Sequence, residues 1–203
     1  MTFKWLKNSQ NLPRIQEFYT LTKIHKLNLA SRPIVSGNGC PTQRISSFID
    51  SLLQPIAKKQ ESYIKGTTDF VRFIENTSIP DNAIIATLDV CSLYTHIPQE
   101  EGIKVLWKYY NDRYQPNPPI PTPTLGNLMK LILKENSFPC NGKHFQQTHG
   151  IAMGTKMAVA FSVLMIGTQE LLWREIKMSL ERLQVSLVRG LMLKSSILQI
   201  GLP

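Results

Sequence analysis

The chain has 203 residues, 42% hydrophobic and 18% charged, a mix that suits one globular domain and excludes a disordered tail, a collagen-like fibre or a small disulfide-stapled scaffold. Lys and Arg number 23 against 14 Asp and Glu, and the net charge of +9 calls for a polyanionic partner, either nucleic acid or an acidic membrane surface. The excess is uneven: residues 1–80 hold 11 basic and 5 acidic side chains, residues 81–167 hold 7 and 6, and residues 168–203 hold 5 and 3.

In chain order, Phe18–Ile24 and the SRPIVS run ending at Ser36 read as two short strands joined by a basic loop, with a turn signal at Ser36–Gly39. Thr42 is placed to cap a helix whose apolar residues Ile45, Phe48, Ile49, Leu52, Leu53 and Ile56 form one stripe, and Pro55 should kink that helix or end it early. Asp69–Glu75 gives a shorter helix behind a threonine pair. Ala83–Val90 (AIIATLDV) is the clearest strand, its continuous apolar run implying burial on both faces. Asp89 near its end must emerge there or find a partner, because an isolated buried charge is very costly.

Pro98 opens a helix carrying Ile103, Leu106, Trp107 and Tyr110 on one side. Five prolines within Pro116–Pro123 predict a stiff extended connection with no packed element, and Thr124 is then the expected cap of a helix with Leu125, Leu128, Met129, Ile132 and Leu133 as its stripe. Ser137–Gln147 reads as a hairpin about Asn141–Gly142. The small and apolar run from Gly150 to Gly167 predicts a tight turn leading into a buried helix, with Met153, Met157 and Met165 as core packing.

Cys40, Cys91 and Cys140 are odd in number and far apart, so they read as reduced thiols of an intracellular protein. Cys140, His144 and His149, with Cys91 and His96 elsewhere, match no standard zinc spacing. No run approaches the roughly 18 apolar residues of a membrane span. The opening MTFKWLKNSQNLPR has no apolar core for a secretory signal.

Four blocks in order, LTKIHK (Leu21–Lys26), RPIVS (Arg32–Ser36), LDVCSLYTHIP (Leu88–Pro98) and QTHGIAMGTKMA (Gln147–Ala158), resemble the reverse transcriptases of Penelope-like retroelements. The resemblance covers roughly residues 18–167. It implies an α+β fold, the fingers and part of the palm of a polymerase, with a short antiparallel sheet packed with helices. Residues 1–80 would be a fingers-like basic region and 81–167 a partial palm, leaving 168–203 as a divergent tail outside the family. The implied chemistry is RNA-directed DNA synthesis on an RNA template and DNA primer from deoxynucleoside triphosphates. Such a reaction joins a 3′-hydroxyl to an α-phosphate with two Mg²⁺ ions stabilising the attacking and leaving oxygens.

By the same resemblance Asp89 is the first metal ligand, helped by the Val90 carbonyl, and Tyr94 packs under the incoming sugar. Lys23 and Arg32 hold the triphosphate, Arg32 being suited to bidentate contact. Gly154 lets the backbone pass close to nucleotide and template, and Lys26, Arg44 and Lys156 are further contacts to nucleic acid. Each residue has a plainer reading when taken alone: Asp89 a turn cap, Tyr94 a core aromatic, Lys23 and Lys26 a solvated face.

The match also has gaps. The family carries a later tyrosine–x–aspartate–aspartate hairpin, whereas this sequence has no adjacent aspartates and its last is Asp112. Thr22 and Val159 stand where the family usually has proline, and neither a thumb nor a GIY-YIG endonuclease is recognised. The expectation is a truncated or frame-shifted copy, a nuclear protein by its family, with negligible polymerase activity on its own. The alternatives are a non-catalytic nucleic-acid-binding module or a non-functional, poorly folding remnant, with a membrane-surface protein more distant.

Overall fold

A computed structural model describes residues 13–24, 31–60, 63–78 and 92–167. Among them the fold is α+β, with six helices and two small antiparallel sheets. β1 (Glu17–Thr22) pairs with β2 (Ser31–Ser36) in the register Glu17↔Ser36 to Thr22↔Ser31. The helices are α1 (Gln43–Ala57), α2 (Thr67–Glu75), α3 (Leu93–His96), α4 (Gln99–Tyr114) and α5 (Thr122–Lys134). β3 (Ser137–Cys140) pairs with β4 (Lys143–Gln146), and α6 (Ala158–Gly167) follows. Asn141 and Gly142 both take positive φ, 53° and 75°, which is what a tight two-residue hairpin turn demands.

The core is helical. Ile49, Leu53 and Ile56 of α1 join Leu106 and Tyr110 of α4, Leu125 and Met129 of α5, and Phe161 and Leu164 of α6 in one buried cluster. α1 packs on α4, α5 and α6. Its stripe therefore works as expected, each fully buried leucine or isoleucine contributing about 1.5–3 kcal/mol of transfer free energy. Residues on both sides of position 80 build this cluster, so the described stretches before and after it share one core. Met157 and Met165 are buried in it, while Met153 is half-buried.

Gly126 of α5 makes room for the Trp107 indole of α4, which a Cβ there would overlap. The second sheet is tied to the first through Phe18 and Phe138, whose rings stack at 5.0 Å. No helix among the described residues is long and apolar enough to cross a membrane.

Several expectations need correction. Thr42 does sit at the start of α1, but its hydroxyl lies 3.2 Å from the Cys40 thiol and makes no capping bond; its carbonyl accepts the Ser46 N–H at 2.8 Å. Pro55 falls in the last turn, where it removes a single ladder bond, and α1 runs on to Ala57. α5 starts at Thr122, ahead of Thr124, because Pro121 and Pro123 supply the fixed φ of a helix start and the Thr122 hydroxyl bonds Asn111 Oδ1 at 2.5 Å.

The proline connection is also fastened to the core. The buried Tyr110 hydroxyl donates to the Ile120 carbonyl and accepts the Ile120 N–H, each at 3.0 Å. The expected strand Ala83–Val90 and the tail 168–203 lie outside the described residues.

Candidate functional site

The turn Gly150–Met157 is where three separate parts of the chain meet. Gly154 takes φ +144°, a conformation closed to most L side chains, and a Cβ there would overlap the Val35 carbonyl, with the Ser36 Cα only 3.1 Å away. The backbones of the RPIVS and QTHGIAMGTKMA blocks are therefore in contact. Val35 itself is buried, and its side chain shares a face of the sheet with Phe18.

Gly150, at φ +67°, lies against α3: a Cβ would overlap the Tyr94 carbonyl and sit 2.6 Å from the Thr95 Cα. The same Tyr94 carbonyl accepts the Ile151 N–H at 2.6 Å. Gln99 Nε2 donates to the Gly150 carbonyl at 2.9 Å, holding the turn from the first residue of α4. Tyr94 is half-buried, and desolvation pushes its phenol above the ordinary range, so it stays protonated at neutral pH. Its side chain packs against the helical core, while its carbonyl is the group that meets the turn.

The third contact comes from α1. Ser46, buried on the stripe between Thr42 and Ile49, accepts the Met157 N–H on its Oγ at 3.1 Å. Arg44 stands half-buried in the first turn of the same helix, and Lys156 is exposed just before Met157. One turn beyond Ser46 is Asp50. Burial raises its carboxyl above the usual range, opposed by a hydrogen bond from Gln54 and the positive charges of Lys156 and Lys58.

Lys23 and Arg32 belong to the other end of the β1–β2 hairpin. The register sets Arg32 opposite Leu21, and strand alternation carries Lys23, one residue past β1, to the same side. Arg32 is exposed and Lys23 half-buried. Arg32 stands three positions before Val35, about 10 Å along the strand from the Gly154 contact. Lys26, Asp89 and Val90 lie outside the described residues.

Among the described residues no group of three or more His, Cys, Asp or Glu side chains is placed to hold a metal ion. The described part thus offers no donor set that fits a Mg²⁺ pair. Cys40 and Cys140 are free thiols. On the β3–β4 hairpin Cys140 faces Lys143, while His144 faces Pro139 and so belongs to the opposite side of the sheet.

Ser46 and Gln99 hold the turn and were not singled out by sequence reasoning. Ser46 carried a usable signal, a polar residue at an apolar-stripe position three before Ile49. Gln99 carried none. Asn136 and Gln147 form a second clasp that sequence reasoning passed over: Asn136 Nδ2 donates to Gln147 Oε1 at 2.6 Å, and Gln147 Nε2 to the His149 carbonyl at 2.8 Å. They join the base of the β3–β4 hairpin to the glycine turn. Set against models of known protein families and against curated proteins, the sequence matches none.

Proposed function

We propose that this chain is the fingers and part of the palm of an RNA-directed DNA polymerase of the Penelope-like kind, and that by itself it holds nucleic acid without extending it. The observation that supports this reading most is the convergence on the Gly150–Met157 turn. Leu21 of LTKIHK pairs with Arg32 of RPIVS, RPIVS touches Gly154 backbone to backbone, and the Tyr94 carbonyl accepts the Ile151 N–H. Contact among these blocks is what a shared polymerase site would require.

In this reading Arg32 and Lys23 face the triphosphate or template phosphates, with Arg44 and Lys156 extending the basic surface. Gly154 keeps the turn thin enough for a strand to pass beside it. Asp89 and the Val90 carbonyl would be the metal ligands of the family, Mg²⁺ supplying electrostatic stabilisation of the transferred phosphoryl group when bound. No adjacent aspartates supply the remaining carboxylate, which is why the chain alone is expected to be inactive.

Two assays test the reading. Titration with an RNA–DNA duplex at two salt concentrations should give log affinity falling with log salt, at a slope near −0.9 per phosphate neutralised on B-form duplex and shallower on single strands. The Arg32→Ala and Lys23→Ala variants should each flatten it. Absence of any salt-dependent binding would refute the nucleic-acid reading. Primer extension on poly(rA)/oligo(dT) with Mg²⁺ or Mn²⁺ should stay at background, and Asp89-dependent incorporation would show that the chain is a complete enzyme.

A further inference from the structure

The β3–β4 hairpin carries a feature that the resemblance does not account for. Phe18, Phe138 and Phe145 form a ladder of nearly parallel rings: Phe18 and Phe138 are 5.0 Å apart at 17°, and Phe138 and Phe145 are 6.1 Å apart at 23°. The inner two rings are half-buried, whereas Phe145 at the end of the ladder is 47% exposed. The pairing Phe138↔Phe145 and Cys140↔Lys143 sets Lys143 on the same face as Phe145, two residues away.

The hairpin itself carries no negative charge: residues 136–149 contain no Asp or Glu, and Lys143 is their one lysine. The acidic residues of α4 lie elsewhere, with Glu100 engaged by Lys130 at 3.5 Å and Lys134 at 3.2 Å. An aromatic ring stacked on a second ring, about half exposed and carried with Lys143 on a hairpin that has no acid of its own, meets the two requirements of single-strand binding: a π face for a base and a cation for the adjoining phosphate. An apolar peptide would need only the ring and would gain nothing from Lys143 beside it.

We propose that the hairpin is a stacking platform for an unpaired base of a single-stranded polynucleotide, with Phe145 taking the base and Lys143 the neighbouring phosphate. The proposal rests on the nucleic-acid reading above and adds a site to it. Because every base has a π face, RNA and DNA strands are bound alike.

The test is anisotropy of labelled oligo(dT), oligo(rU) and a blunt duplex with the full chain at two salt concentrations. Phe145→Ala should weaken both single strands by about 5- to 150-fold, the range expected of one lost base stack, and leave the duplex unchanged. Phe145→Trp should restore binding and show fluorescence quenching on addition of oligo(dT). Lys143→Ala should lower the salt slope on single strands by about 0.7. If the wild-type chain binds the duplex and Phe145→Ala binds single strands as tightly as wild type, this proposal fails while the nucleic-acid reading stands. If the wild-type chain binds no polynucleotide, both fail. Sedimentation of the same variants covers the remaining occupant, since a dimer lost in Phe145→Ala with unchanged oligonucleotide affinity would assign the face to self-association and overturn the proposal.

Discussion

Replacing Gly154 by alanine isolates the contact on which the candidate site depends. At φ +144° an L residue pays about 1–3 kcal/mol of backbone strain, and pressing a methyl into the Val35 carbonyl adds about 1–3 kcal/mol, since that neighbour is main chain and cannot swing aside. Loss of glycine's freedom in the unfolded chain offsets about 0.4–1 kcal/mol, leaving a net destabilisation of about 1–5.5 kcal/mol. Gly142→Ala is the internal control. Its φ of +75° is also left-handed, but no atom lies within 4 Å of the new methyl, so it carries backbone strain alone, a net cost of up to about 1.6 kcal/mol. Urea unfolding of both variants, followed by far-UV circular dichroism, measures the difference. A Gly154→Ala cost within about 0.5 kcal/mol of the Gly142→Ala cost would mean that the turn does not press on β2. The convergence of blocks would then be lost as an argument.

Tyr110→Phe should destabilise the fold by about 2 kcal/mol, because one hydroxyl serves both the N–H and the carbonyl of Ile120; a neutral result in the same urea experiment would mean that those groups are satisfied without it. Asp50→Asn should be more stable than wild type at neutral pH. The folded-state pKa of Asp50 is raised above 3.8 by burial, so the wild type loses stability as pH rises through the raised value, and the gap between the two proteins should close below pH 3.8. A gap that persisted or widened in acid would reverse the assigned cause.

Local signals in the sequence carried over well to structure where one element decides the outcome. The stripe Ile45–Ile56 became the buried face of α1, and Asn141–Gly142 became a hairpin turn, because helical period and positive φ are properties of adjacent residues. Prolines misled: a cluster that reads as a break also supplies the start of α5 at Thr122. Of the site, glycine at 150 and 154 announced a close approach, but nothing near them in sequence named the partners. Val35 lies 119 positions from Gly154, and Ser46 lies 111 from Met157. The Tyr110 hydroxyl was equally silent, since its partner is a backbone unit that any residue at position 120 would present.

The distance between Ser46 and Met157 also bears on how the protein is made. The apolar stripe of α1 leaves the ribosome well before the helices that cover it, and α6 is the last of them among the described residues. At about 5–20 residues per second, the hundred or so residues still to be synthesised keep that stripe in water for about 5–20 s. A nascent chain of this kind is a natural client for a ribosome-associated chaperone.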